Sequence, residues 1–243
     1  MNEQYNRTVG VSGETDLGLK SFMLGTYRYM AMAMAVTAVV AFIVGQAILA
    51  NPALIGLIYN PVVAIATIVI IMFGFGAVGK KLPSMSLGGV LAFLFGFAAF
   101  MGVIMSAYAS LYNPMIVAKI FFMTVAMFAG LSLFGYTTSF NLGSIIKYAA
   151  AAFMAYIVIG VVGMIYPPLS VTAGGTLGTI INIVALAAIA VITAWETQTL
   201  KRIYYGSVGN PAMMKKLSAF GAASLLLAFI NMFQILMSLF GRE

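Results

Sequence analysis

Long apolar runs separated by short polar breaks dominate the chain. Spanning a bilayer takes about 20 predominantly apolar residues, and seven runs qualify: Tyr29–Leu49, Val62–Val78, Gly88–Ala109, Pro114–Phe134, Tyr148–Ile165, Leu177–Thr199 and Leu217–Phe240. The breaks carry turn chemistry: Asn51-Pro52, Asn60-Pro61, Pro83-Ser84, Asn113-Pro114, Asn141-Leu-Gly143, Pro167-Pro168, Gly174-Gly175 and Asn210-Pro211. The pattern predicts an all-α integral membrane protein, a seven-helix bundle making up one domain over residues 27–243. Residues 1–26 form a polar tail in which Ser12, Glu14 and Asp16 precede a short amphipathic stretch, Leu17–Leu24, suited to a membrane interface. The tail contains three acids and does not resemble a cleavable signal peptide.

Composition sharpens this class. The chain is 63% hydrophobic and 7% charged, too little polar surface for a soluble domain of 243 residues. Its basic residues predict orientation, because Lys and Arg collect in cytoplasmic loops. Arg7, Lys20 and Arg28 precede the first span, Lys80 and Lys81 follow the second, and Lys147 lies between the fourth and fifth. Lys201, Arg202, Lys215 and Lys216 lie between the sixth and seventh, while only Lys119 and Arg242 fall on the other side. A cytoplasmic N-terminus and a periplasmic C-terminus follow. The positive charge is spread over several loops rather than gathered on one face, which argues against nucleic acid as a partner.

The residue inventory excludes familiar chemistries. There is no His and no Cys, so serine–histidine catalysis, histidine-held metals, thiolate sites and disulfides are ruled out. Asp16 is the only Asp and lies in the tail, which excludes an intramembrane aspartate dyad. The seventh span has no Lys to carry a retinal Schiff base. These absences point away from an enzyme. The Met residues suit adaptable packing, and Gly74, Gly76, Gly79, Gly96, Gly102, Gly160 and Gly163 suit close helix approach in lipid.

Glu196 is the exception in this apolar chain. The other acids, Glu3, Glu14, Asp16 and Glu243, lie near the termini, whereas Glu196 follows the sole Trp, Trp195, inside the sixth span. An ionisable group there is costly and marks a functional site by default. At about 100° per residue, Asn182, Thr193 and Glu196 share one face. Ser224, Asn231 and Ser238 recur at heptad spacing in the seventh span with Gln234 beside them. The two stripes either line a pathway or hydrogen-bond one another as packing. Glu196 is either a gate or a charge at a helix end. Lys201 and Arg202 are off its favourable i+3 and i+4 positions, so any ion-pair partner comes from another helix, with Lys80, Lys81 and Lys147 as candidates. Lys119 suits snorkelling to the outer interface.

Several segments are similar to one family. Leu19-Lys-Ser-Phe-Met-Leu-Gly-Thr-Tyr27-Arg-Tyr-Met-Ala31 resembles an entry into a first helix, and Phe134-Gly-Tyr-Thr-Thr138 with Asn141-Leu-Gly-Ser144 resembles a fourth-to-fifth connection. Trp195-Glu196-Thr197-Gln198 resembles an aromatic-Asp-Thr-Gln signature, and Phe229-Ile-Asn231-Met-Phe233 a seventh-helix pattern. In this order they resemble the Bax inhibitor-1, or transmembrane Bax inhibitor motif, family, in its bacterial branch that includes a modulator of an integral-membrane AAA protease. The resemblance implies a bundle with its central helix enclosed by the others. It also implies two functions: a pH-sensitive calcium leak, or a non-transporting modulator of a membrane-embedded AAA protease or other quality-control complex. In leak-forming members an acid of the sixth helix and an acid of the seventh form a dyad near the cytoplasmic side, and a basic residue of the second helix helps to close it. Glu196 stands at the first position, Ala228 at the second, and Lys80 or Lys81 at the basic one. Asn141 stands where the family's loop often has an acid. Close carboxylates cannot easily both ionise, which makes a dyad a proton switch. Glu196 lacks that like-charge partner. Calcium favours several oxygen ligands, so Glu196 with amide and carbonyl oxygens would hold it weakly. No resident cofactor is implied.

Overall fold

The computed structural model describes residues 2–166 and 175–241, with side chains from residue 17 onward. Pro167-Pro168, Gly174, Arg242 and Glu243 lie outside the described residues, as do the side chains of Glu3, Arg7, Ser12, Glu14 and Asp16. The described elements are α1 (Asn2–Ala50), α2 (Ala53–Ile58), α3 (Pro61–Lys81), α4 (Leu87–Leu111), α5 (Pro114–Thr137), a single 3₁₀ turn (Leu142–Ser144), α6 (Ile146–Ile165), α7 (Gly175–Gly206) and α8 (Pro211–Phe240). Seven of these helices are long and apolar enough to cross a membrane, the first counted from Leu17. The protein is a multi-pass membrane protein of all-α class.

Helix starts follow from local chemistry. In three Asn-Pro pairs the Asn caps and the Pro opens the helix, since a proline at the first position forgoes an N–H that would lack a partner anyway. Asn60 Oδ1 accepts from Val63 N at 3.0 Å, Asn113 Oδ1 from Met115 N at 2.8 Å and Asn210 Oδ1 from Met213 N at 3.0 Å. Ser86 caps α4 through Gly89 N at 3.1 Å. The fourth pair, Asn51-Pro52, instead leads into the short helix α2, which the hydropathy pattern did not resolve from a loop. Tyr59, just after α2, donates its hydroxyl to Ile104 O and accepts from Ala107 N at 2.8 Å, pinning the connection to α4. Burial there pushes the Tyr59 phenol above its ordinary range.

Several helices run beyond the predicted boundaries. The stretch Leu17–Leu24 continues into the first span as one helix, with Leu19, Phe22 and Met23 buried and Leu17 and Leu24 exposed. α7 extends past Lys201 and Arg202 to Gly206. A helix satisfies its own backbone hydrogen bonds, so it need not stop where the apolar run stops.

α8 is the central helix. Its buried residues, including Ala222, Leu225, Leu226, Phe229, Met232, Ile235 and Leu236, cover most of its circumference, and α1, α4, α5 and α7 pack around it. Phe229 meets Phe128 and Phe121 of α5 edge-on, and Tyr108 of α4 meets Phe233. α3 and α6 are peripheral. α3 has no buried residue and rests on α4 and α8 through Phe75, whose ring packs on Phe93, Phe97 and Phe220. The starts of α1, α4, α6 and α8 and the ends of α3, α5 and α7 share one end of the bundle. That end holds Lys20, Lys80, Lys81, Lys147, Lys201, Arg202, Lys215 and Lys216 and is called the basic end below.

The close helix crossings lie mostly at glycines other than those expected. A Cβ at Gly76, Gly96 or Gly160 would meet open space, so these residues do not set helix spacing. Gly102 does: a Cβ there would sit 2.8 Å from Thr37 O and 2.6 Å from Val40 Cβ of α1. The tightest backbone crossing is at Gly135 of α5, where a Cβ would fall 2.1 Å from Ala194 O of α7. Period and composition show only that a glycine is present in a span; which face it takes depends on the neighbouring helix.

Gly135→Ala is expected to push α5 from α7 and destabilise the bundle by about 1–3 kcal/mol, as overpacking does. Gly96→Ala should be neutral or slightly stabilising, because it adds helix propensity in open space. Thermal unfolding in detergent distinguishes them, and equal midpoints for both variants would contradict the crossing.

Candidate functional site around Glu196

Glu196 lies on the inner half of α7, one turn from Thr193 and Leu200 and two from Ile189, all three buried. Leu200 packs against Gly221 of α8, where an added Cβ would stand 2.4 Å from Leu200 Cδ2. This crossing directs the same face of α7 toward the central helix. Glu196 Oε2 is buried and has no hydrogen-bond partner among the described residues. A buried polar atom left unpaired costs about 1–3 kcal/mol, more if charged, and such an atom in a folded protein calls for an explanation.

The cationic residues are engaged elsewhere or lie outside. Lys80 and Lys81 are exposed at the end of α3. Lys147 stands 4.9 Å from the centroid of the Tyr148 ring. Lys201 donates to Tyr136 O at 3.2 Å and lies over the Tyr136 ring, and Lys216 donates to Pro83 O at 2.9 Å. Among the described residues Glu196 forms no ion pair within 4.0 Å. No group of three or more acids, His or Cys that could hold a metal occurs among them either, and Glu196 is the only acid among the described side chains, so among those a cation there would meet one carboxylate.

The polar residues sharing the face of Glu196 are satisfied locally. Asn182 Nδ2 donates to Gly178 O at 2.8 Å, and its Oδ1 accepts from Tyr156 OH at 3.3 Å. Thr193 Oγ1 donates to Ile189 O at 2.8 Å. These bonds close on α7 itself or join it to α6. On α8, Ser224, Asn231, Gln234 and Ser238 are half-buried, whereas the other faces of the helix are buried. The polar stripe is therefore the more open side of the central helix. Gln234 Nε2 lies 3.9 Å from Met105 Sδ, and Ser238 Oγ is buried without a partner. No hydrogen bond joins Glu196 to Asn231 or Gln234. Ala228, where the resemblance implied a second acid, is 2% exposed, shut inside the packing.

Sequence reasoning missed two networks at the basic end. The first centres on Gln198. Its Nε2 donates to Phe140 O at 2.8 Å, while its Oε1 accepts from Leu142 N at 3.2 Å and from Arg202 Nη2 at 2.9 Å. Arg202 Nη2 also donates to Asn141 Oδ1 at 2.8 Å. Gln198 and Arg202 thus clamp the connection between α5 and α6 onto α7. Asn141 keeps the acceptor that a family acid would provide but not its charge. The i,i+4 spacing of Gln198 and Arg202 was the available signal, and its loop partner is 56 residues away. The second network is a row of hydroxyls: Tyr27 OH lies 2.6 Å from Ser132 Oγ, which lies 2.8 Å from Thr197 Oγ1, which donates to Thr193 O at 3.3 Å. It links α1, α5 and α7 beside Glu196.

Residues 19–243 match the family model described as "Inhibitor of apoptosis-promoting Bax1". The chain belongs to the Bax inhibitor-1 family. An uncharacterized protein of Caulobacter vibrioides is 31% identical, covering 93% of this chain and 90% of its own length. An uncharacterized protein of Rickettsia prowazekii is 28% identical with 98% of both chains covered. The inner membrane protein YbhL of Escherichia coli is 27% identical with 93% of both covered. Two of these relatives carry no assigned role and the third is named for its location, so a specific activity in this family member has to be argued from its own residues.

Gln198→Ala is expected to cost about 1–3 kcal/mol by leaving the buried Leu142 N unpaired and freeing Arg202. The connection over residues 138–145 should then be cut faster by limited proteolysis from the basic end. An unchanged cleavage rate would show that the clamp does not hold the loop.

Proposed function

We propose that the protein is an inner-membrane cation leak pathway, calcium being the leading candidate ion, in which Glu196 is a single switchable charge that gates passage. The observation that carries this reading is the buried, unpartnered Oε2 of Glu196 on the α7 face directed at the central helix. A permanent structural ion pair would account for a membrane carboxylate, but Glu196 has none among the described residues. In its ionised form the carboxylate attracts a hard cation, and in its protonated form it does not. The half-exposed side chains of Asn231, Gln234 and Ser224 offer neutral oxygens along α8 for a partly hydrated ion. Asn182 and Thr193, closed in local bonds, support α7 more than they line a path. One carboxylate holds calcium weakly, which suits conduction, because an ion must leave as readily as it enters. The placement agrees with YbhL, an inner membrane protein, and the basic end faces the cytoplasm by the excess of Lys and Arg there. Lys80 and Lys81 are exposed on the peripheral α3 and form no ion pair with Glu196.

The gate is tested in liposomes carrying calcium- and pH-sensitive dyes. Wild-type protein is expected to pass calcium at a rate that changes with pH. Glu196→Gln, which keeps the shape and loses the charge, should lower flux about tenfold, a difference of ~1.4 kcal/mol, and abolish the pH response. Wild-type flux with an unchanged pH response in Glu196→Gln would refute the gate.

A second reading, a non-transporting modulator of a membrane AAA protease or related complex, is favoured by the closed packing at Ala228 and by the extension of α1 to Asn2. An ATP-driven partner could engage that extension, and binding needs no ion site. Crosslinking in native membranes should then recover a protease complex that is lost on deleting residues 1–16. Recovery of none would dismiss this reading.

A further inference from the structure

Beside the hydroxyl row, α1 and α5 diverge and leave a groove of about 470 Å³ that the proposed leak does not use. The two helices make no extended contact; the Tyr27–Ser132 hydrogen bond bridges them. They run antiparallel, so Lys20 of α1 and Tyr136 of α5 flank the mouth at the basic end, while Tyr27 and Phe128 lie about 10 Å deeper along the bundle. The walls between are apolar: Met23, Leu24, Ala129 and Leu133. Leu24 is 54% exposed and Leu133 63% exposed, so the groove opens sideways on the apolar surface of two membrane spans. Its mouth is cationic. Lys20 lines it, and Lys201 reaches Tyr136 O at 3.2 Å and lies over the Tyr136 ring.

We propose that this groove is a binding site for one anionic phospholipid, with an acyl chain lying along Leu24, Ala129 and Leu133 and the phosphate at Lys20. The physical reasons are complementary. An apolar trough that opens laterally within the membrane is matched to a hydrocarbon chain, and its size lies in the range of small-molecule sites. The Lys20 amine at the end of the trough, with Lys201 held at Tyr136 behind it, stands where a headgroup would lie, and basic pockets between spans on the cytoplasmic side favour anionic headgroups. A zwitterionic lipid would fill the trough equally but gain less at Lys20. The Tyr27 and Ser132 hydroxyls at the floor bond to each other, and Ser132 bonds on to Thr197. A seated chain would therefore rest against a row that ends beside Glu196, placing the lipid where it can bias α7. The site itself stands independently of the leak reading.

The test is native mass spectrometry of the full chain in detergent, titrated with phosphatidylglycerol, with phosphatidylcholine of the same acyl chains, or with glycerol phosphate. One phosphatidylglycerol is expected to be retained at about tenfold lower concentration than phosphatidylcholine. Lys20→Gln, a change at an exposed side chain, should erase that preference while leaving chain-dependent retention. Ala129→Phe, which fills the trough, should lower retention of both lipids about tenfold, with the thermal midpoint reported alongside to show that the bundle is folded. Equal retention of the two lipids by the wild type would overturn the proposal. So would retention unaltered by Ala129→Phe, or competition by glycerol phosphate as strong as by the whole lipid, which would indicate a headgroup site only.

Discussion

In a bilayer, apolar side chains gain little by leaving lipid for one another, so helices associate through close packing and hydrogen bonds. The arrangement depends on this constraint, and it is met at a few crossings where backbone meets backbone. Gly135 against Ala194 O brings α5 to α7, Gly102 against Thr37 O brings α1 to α4, and Gly221 admits Leu200 between α7 and α8. With these contacts made, α8 is enclosed by α1, α4, α5 and α7, and α3 and α6 are left on the outside. The enclosure turns the sixth-span acid inward. Glu196 Oε2 is buried on the face of α7 whose Leu200, one turn away, fits against Gly221.

That position places the site's one carboxylate in surroundings that neither neutralise nor bond it. Of the nearby cations, Lys80 and Lys81 are exposed and Lys147 lies over Tyr148, while Lys201 is held by Tyr136, Lys216 by Pro83 and Arg202 by Gln198 and Asn141. Their engagement tightens the basic end, because the Gln198 clamp fixes the loop after α5 directly against the helix that carries Glu196. The polar groups of the bundle thus divide by task. Asn182, Gln198 and the Tyr27–Ser132–Thr197 row have partners and hold helices together, and Thr193 bonds within α7; Glu196 Oε2, like Ser238 Oγ, has none, and the α8 stripe stays partly open.

Ala228 shows how a family position can change its physical role. In a protein with a second acid there, two carboxylates would share a proton. Here a small apolar side chain fills the place with almost no exposed surface, and Glu196 has no second carboxylate on α8. Asn141 is a milder change of the same kind, retaining the hydrogen bond to Arg202 without the charge.

By itself the sequence determined the number of spans, the class of the protein, its family and the singularity of Glu196, because hydrophobic length and the near absence of charge are properties of composition along one dimension. The Asn-Pro pairs marked helix starts for the same local reason. What only the tertiary structure decided is which groups meet. α2 is too short to show in hydropathy, and the extra turns of α1 and α7 lie outside the apolar windows because a helix carries its own hydrogen bonds into polar surroundings. Gly96 and Gly135 look alike in a span, and only the neighbouring helix makes one indifferent and the other a crossing. Asn182 and Glu196 share a helical face, yet one finds Tyr156 and Gly178 while the other finds no partner. The Gln198 clamp and the α1–α5 groove join residues far apart in the chain, and their chemistry exists only once the bundle brings them together.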